Sequence, residues 1–360
     1  MSIFKKTPVI VLVTALVSCT GTFFFSKQYF SSNRPLFLGS SSPNHSPQAS
    51  NCSLKIKRLK GFHYIQPLLY AEPEDESIIF SPLKSQLLGL IESFKNSGSI
   101  TSASIYLRAF EKASWMSINP NETFHPGSLM KVPLLITYLK MEESNPGVLN
   151  KKFILAQRPA GFPEQIYTAK QIETGKAYTV TELLKYMIQY SDNYATFLLH
   201  ENVDKSMYNS TYTSIGLPIP NIYDRNFSIS ASAYSTFFKV LFNAAFLSFE
   251  HSEFAMELLS KSEFSHGFEA GFPAGTPMVH KFGEWGDGQG VDQLHESGLV
   301  YINGAPYLLT IMTSGKDSKK LPDVIAGISQ MIYNNLSKNF NTSGSYSMTK
   351  SRNLSDKGNM

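Results

Sequence analysis

The chain has 360 residues, 42% apolar and 17% charged, so it can bury a sizeable core and is not disordered throughout. A net charge of +4, with Lys and Arg scattered and not striped among aromatics, argues against a nucleic-acid partner. The only two cysteines, Cys19 and Cys52, lie outside the stretch that reads as foldable, so no core disulfide and no zinc site is expected.

Residues 1–25 carry Lys5 and Lys6 and then run without charge to Phe25. That run is about 18 residues, the lower limit for a membrane-spanning helix. Positive charge ahead of it favours a cytoplasmic N-terminus. Two other readings stay open: a cleaved secretory signal, and a lipoprotein signal in which Leu16-Val-Ser-Cys19 resembles a lipobox and Cys19 takes the lipid. All three put the rest of the chain outside the cytoplasm, and an anchor is favoured over release. Residues 26–55, rich in Ser, Asn and Pro, read as a solvated tether. Residues 339–360 read as a disordered tail, which leaves 56–338 as the functional domain.

Within that domain, Leu83 to Lys95 shows a helical face of Leu87, Leu88, Leu90 and Ile91. Ser104–Phe110 and Ser114–Ile118 read as two strands. Ser128–Glu143 returns to helical spacing, with Pro133 early, where proline is tolerated. Thr179 and Glu182 form a capping box that opens an amphipathic helix to Tyr190. Ser230–Leu247, with Ser230 as N-cap, and Phe254–Leu259 are further helices. Pro277–Phe282, Leu299–Ile302 and Tyr307–Met312 are strands, the last two joined through Asn303-Gly304, a hairpin signal. Asp323–Leu336 is the closing helix. This order predicts a five-stranded, largely antiparallel sheet, an α/β (α+β) architecture with terminal helices on one face and an inserted helical lobe.

Three short segments carry the chemistry. In the first, Ser128 and Lys131 stand three apart on one helix face, within hydrogen-bond reach. A serine is a weak nucleophile without an adjacent base, and a lysine serves as one when burial depresses its pKa. The same spacing at Ser81–Lys84 reads as a helix N-cap, and at Ser347–Lys350 as tail. The second segment, Ser191-Asp192-Asn193, follows the capping-box helix. The third is His280-Lys281-Phe282-Gly283, at a strand end before a glycine-rich loop.

In order and context these segments resemble the motifs of the penicillin-recognising serine hydrolases, class A β-lactamases and D,D-peptidase-like proteins among them. The resemblance spans residues 83–337 and implies the β-lactamase/transpeptidase-like fold. It implies that Ser128 is acylated, Lys131 is its base or proton partner, and Ser191 passes the proton to the leaving nitrogen. Asn193 would hold Lys131 and the substrate amide. Lys281 would raise the positive potential, and Gly283 would let substrate backbone lie against the strand. The N–H groups of Ser128 and Glu284 would form the oxyanion hole. No cofactor or metal is implied. The substrate would be a β-lactam or a peptidoglycan stem peptide.

Two departures qualify this. The family's deacylating glutamate has no counterpart in residues 218–228, where Asp224, beside Arg225, is the only carboxylate. Phe282 stands where a Thr or Ser hydroxyl normally helps bind the substrate carboxylate. No arginine between Phe282 and Pro322 compensates, although Lys281, His295 and Lys316 remain. Glu284 either sits solvated in its loop, pairs with Lys281, binds a cationic substrate group or assists water. His125, His280, Tyr167 and Trp285 are candidate flanking groups. The leading expectation is a membrane-anchored, extracytoplasmic serine hydrolase with slow deacylation. The alternatives are a true β-lactamase with another water activator, and a non-enzymatic binder or sensor of penicillin or wall fragments.

Overall fold

The computed structural model describes residues 53–159, 166–167, 170–220 and 227–355, with side chains as far as 338. The proposed anchor, Cys19, most of the tether, and Asp224 with Arg225 lie outside the described residues. Among the described residues, no helix is long and apolar enough to cross a membrane.

A hairpin opens the domain: β1 (Leu54–Arg58) pairs antiparallel with β2 (Leu68–Pro73). It begins inside the segment read as tether and carries no periodicity that would have announced it. Helix α1 (Ser81–Asn96) follows, with proline in its first turn. Leu83, Leu87 and Ile91 form its buried stripe, four residues apart, while Leu88 faces solvent. Ser81 is the first helical residue and makes no capping bond, and Lys84 pairs with Glu76. The first decoy pair therefore does not meet, and Ser81 is not the cap it was read as.

Strands β3 (Ser102–Ala109) and β4 (Ser114–Ile118) form the next hairpin. A two-residue β5 (Thr123–Phe124) and a 3-10 turn, Gly127–Met130, lead into α2 (Lys131–Ser144). Short strands β6 (Lys152–Ile154) and β7 (Ala177–Thr179) pair, and α3 (Val180–Gln189) starts at the Thr179–Glu182 capping box. Helices α4 (Asn193–Asn202) and α5 (Lys205–Ile215) are capped by Asp192 and Asp204. The two-residue β8 (Ile229–Ser230) pairs with β5.

The helix expected over 230–247 is split. Ser230 caps α6 (Ala231–Tyr234), α7 runs Thr236–Phe242, and the chain turns out of the helix at Ala244, whose φ is 44°. Helix α8 (Phe249–Leu259) starts earlier than its apolar residues indicate, because Ser248 caps it while Phe249 stays exposed. A one-turn α9 (Phe268–Gly271) precedes the last three strands.

Strands β9 (Met278–Gly286), β10 (Asp292–Ile302) and β11 (Ala305–Gly315) are longer than their apolar cores. The Lys281 motif is therefore mid-strand, and the glycine-rich loop begins only after it. Asn303 and Gly304 both take positive φ, as a two-residue hairpin turn demands. The closing helix α10 (Leu321–Ser355) continues well past Leu336, into the segment read as a disordered tail. Backbone helicity there outlasts the apolar periodicity that defines the sequence signal.

The five-stranded sheet has the order β4-β3-β11-β10-β9, all neighbours antiparallel, as the sequence predicts. Alternation sorts its side chains onto two cores. Ile105, Leu107, Leu309 and Ile311 pack with α1 and α10; Tyr106, Leu308 and Met312 pack with the inserted helices. The sheet is buried on both faces, and β9 packs against the turn that carries Ser128.

Candidate active site

The 3-10 turn ends as α2 begins, so Ser128 and Lys131 project the same way from a single tight turn. Lys131 Nζ lies 2.9 Å from Ser128 Oγ. The same nitrogen bonds Ser191 Oγ at 3.0 Å, the Ser191 carbonyl, and Asn193 Oδ1 at 2.9 Å. The first and second motifs thus meet across 60 residues of chain.

Ser191 has φ 54°, a left-handed conformation unusual for a residue with a Cβ. It links the end of α3 to the start of α4 and turns both its oxygens toward Lys131. Asp192 stabilises that link: it accepts from the Tyr194 N–H as helix cap and from the Ile172 N–H at 2.8 Å. The triplet therefore both ends one helix and starts the next. Asn193 Oδ1 faces Lys131 because Asn193 is the first residue of α4.

The third motif closes the arrangement. Lys281 is fully buried and donates to Ser191 Oγ at 2.9 Å and to the Phe282 carbonyl at 2.9 Å. Ser191 Oγ is thus flanked by two lysines. A Cβ at Gly283 would lie 2.4 Å from the Pro126 carbonyl and 2.7 Å from the Leu129 nitrogen. Gly283 makes room for the chain's own nucleophile-bearing turn, where substrate backbone was expected. Gly127, at φ 52°, allows the same approach from the other side, since a Cβ there would strike the Glu284 carbonyl.

The electrostatics suit proton transfer. Burial lowers the Lys131 pKa to about 7, against an upward pull from Asp192 and Glu284. Lys281 is held well below the ordinary lysine range by burial and then by the charge of Lys131. Burial pushes the Glu284 carboxyl up; the Ile166 amide, Lys131, Lys281 and the Tyr167 amide pull it part of the way back.

A cavity of about 450 Å³ opens over Ser128. Lys131, Asn193, His200, Phe227, Glu284 and Trp285 are among its walls. Trp285 stacks on His125, with centroids 4.5 Å apart and planes 4° apart, so the two form one wall of the cavity. Phe282 is buried against Phe264, at 4.1 Å, and Tyr167 packs edge-on to both.

The other candidates have structural partners. His280 bonds Glu296 at 2.6 Å in the core, and Glu296 also accepts from the Phe268 N–H. His295 is fully buried behind the His125 carbonyl, with its pKa lowered by burial to about 4. Lys316 is exposed and does not line the cavity. Neither stands in for the carboxylate-binding hydroxyl that Phe282 lacks. Lys281 and Glu284 do not hydrogen-bond to each other.

A model of the beta-lactamase enzyme family matches residues 82–336. No curated protein matches the chain. Among solved structures, PBP-A is similar at 19% identity and TM-score 0.59, over 72% of this chain and 97% of that one. A β-lactamase from Chitinophaga pinensis is similar at 16% identity and TM-score 0.61, over 71% and 100%. The TLA-3 extended-spectrum β-lactamase is similar at 15% identity and TM-score 0.61, over 70% and 99%. At these identities the likeness is one of fold.

Proposed function

The chain belongs to the beta-lactamase enzyme family, and from that premise we propose that it is a serine hydrolase acylated on Ser128 by a β-lactam or a cell-wall peptide amide. The observation that carries this reading is the unbroken hydrogen-bonded path Ser128–Lys131–Ser191–Lys281. With its pKa near 7, Lys131 is substantially neutral at neutral pH and accepts the Ser128 proton as Oγ attacks the carbonyl. The C–N bond then breaks, and the nitrogen takes its proton from Ser191, which is replenished from Lys131. The oxyanion is assigned to the N–H groups of Ser128 and Glu284, on backbone segments packed against each other at Gly127. A PBP-A variant has been solved as an acyl-enzyme complex with penicillin-G, which makes penicillins the natural first probe.

Slow deacylation is part of the same proposal, because residues 218–228 hold no glutamate. So is an extracytoplasmic location behind an N-terminal anchor, on the strength of the charge-free run up to Phe25.

Incubation with a fluorescent penicillin followed by intact mass tests the central step. A single adduct that maps to Ser128 and vanishes in Ser128→Ala is expected. Absence of any adduct, with no peptidase activity sensitive to that substitution, removes the proposal. Nitrocefin then separates a stoichiometric burst, expected here, from multiple turnover by a true β-lactamase. Mass spectrometry of the native N-terminus reads spanning segment against lipidated Cys19 against cleavage.

A further inference from the structure

One carboxyl group beside Ser128 lacks a partner. Both oxygens of Glu284 are shut off from water and accept no hydrogen bond among the described residues. The nearest donors are the amides of Ile166 and Tyr167, which draw the carboxyl's pKa part of the way back from the rise that burial causes. Such a group is costly to keep, because a dry acceptor without a donor has lost its hydration for nothing.

The neighbouring lysines are already committed. Lys131 spends its N–H groups on Ser128, Ser191 and Asn193, and Lys281 donates to Ser191 and the Phe282 carbonyl. Among the described residues that line the Ser128 cavity, Glu284 is the only carboxylate and none is an arginine. Two positions earlier, on the same face of β9, Phe282 offers a ring buried against Phe264 and no donor. Among the described residues, an anionic substituent beside the scissile amide therefore meets a carboxylate and no spare positive charge. A cationic one meets the donor-starved carboxylate. In a cavity of low dielectric this difference is large, and like charges brought together there are strongly disfavoured.

We propose that the Ser128 cavity selects acyl donors that carry a positively charged nitrogen, an ammonium or guanidinium, close to the scissile amide, and that Glu284 is the group that pairs with it. The proposal rests on Ser128 being the nucleophile. It names the substrate class of that site: a cationic amide, as in a peptide with a diamino-acid or arginine residue next to the cleaved bond, in place of one ending in a free carboxylate. Because both oxygens are shut off from water in this conformation, pairing requires the Glu284 side chain to rotate into the cavity.

The test uses two β-lactams that differ at one substituent, a carboxylate in one and its aminoethyl amide in the other. The second-order rate of Ser128 acylation is read for each by intact mass. The full-length protein is expected to favour the cationic compound by roughly ten- to a hundred-fold. Glu284→Gln, which keeps the shape and removes the charge, should bring the ratio close to one. Lowering the pH until the Glu284 carboxyl, whose pKa burial raises, takes up its proton should shrink the wild-type ratio without any substitution, which keeps the test independent of how the variant folds. A wild-type preference for the carboxylate overturns the proposal. So does a ratio that survives in Glu284→Gln, or a variant in which only deacylation slows. Absence of Ser128 labelling by either compound is a different result: it removes the nucleophile reading itself, and this inference with it.

Discussion

Lys131 is tied to Ser191 twice through one nitrogen, to the hydroxyl at 3.0 Å and to the main-chain carbonyl. Turned into the left-handed region at φ 54°, Ser191 presents both oxygens to the same point. The carbonyl fixes where the ammonium sits. The hydroxyl, which also accepts from Lys281 at 2.9 Å, is the atom that passes a proton on in the proposed acylation. In the proposed acylation, positioning and proton transfer fall to different atoms of one residue and can be separated by substitution.

Ser191→Gly makes that separation. Glycine adopts the left-handed conformation without cost, so the carbonyl stays and only the hydroxyl goes. Thermal stability is expected to change little, while acylation of Ser128 falls about a hundred-fold, within the usual range for loss of a proton-transfer group. Ser191→Val should lose both, since a β-branched residue at positive φ costs about 1–2 kcal/mol. Melting curves and penicillin-labelling rates on the two variants check the pair. Equal labelling by Ser191→Gly and wild type would remove Ser191 from the proton path.

The low pKa of Lys131 gives the acylation rate a direction with pH. The neutral amine is the base, so the rate should climb as the lysine deprotonates and level off above its midpoint, near 7. Labelling rates between about pH 5 and 9 read this directly. Lys131→Arg keeps a cation that does not deprotonate in this range, so it should drop the rate about a thousand-fold and flatten the profile. A flat wild-type profile would assign the base to another group.

These groups were legible in the sequence because the signals are local. Ser128 and Lys131 are three residues apart, Ser191 and Asn193 two, and the Thr179–Glu182 box and Asn303-Gly304 each announce an element by themselves. What was not legible depends on distant contacts. Gly283 gives no hint in sequence that the Ser128 turn lies against it. The presence of Glu284 can be read from the chain, but its dryness cannot. Leu88 fits a helical stripe by spacing, yet the stripe that meets the sheet is Leu83, Leu87 and Ile91. The β1–β2 hairpin escaped because much of β1 is exposed, so no alternation marks it.

Gly283→Ala tests the packing of β9 on the nucleophile's turn. The added methyl would lie 2.4 Å from a backbone oxygen and 2.7 Å from a backbone nitrogen, neither of which can swing aside. Overpacking of this kind costs about 1–3 kcal/mol, and relief requires the turn to move away from the strand. That movement carries Ser128 away from the Glu284 N–H. Acylation should therefore fall by more than the stability loss alone explains. A variant that labels normally would show that the two segments need not touch for catalysis.

The last test concerns a buried cluster that no sequence pattern announces. Glu72 on β2 accepts from Arg108 at 2.6 Å, Lys239 at 2.8 Å and Tyr106 at 3.0 Å, across as many as 167 residues of chain. It fastens the first hairpin to β3 and α7, away from the Ser128 cavity. Glu72→Ala leaves two buried cations without their carboxylate, which should cost about 3–5 kcal/mol, and the surviving folded protein should still acylate at Ser128. The pH dependence of stability follows from the same contacts. For Glu72, burial acts to raise the pKa, but Lys239, Arg108 and Tyr106 outweigh it, and the net shift is downward. A depressed carboxyl pKa gives stability that is present above the unfolded value and lost as pH falls through the folded one. Wild type should therefore lose stability on acidification more steeply than Glu72→Ala. Lys239 behaves oppositely: burial lowers its pKa to about 8 despite Glu72. Between that value and the ordinary lysine pKa of about 10.4, the unfolded chain binds more protons than the folded one, so stability rises with pH. Lys131, lowered for the same reason, adds a rise that starts near 7. Lys239→Met should remove only the part of the rise that begins near 8. Denaturant melts of the three proteins across pH read each limb, and an unchanged alkaline limb in Lys239→Met would place the titrating group elsewhere.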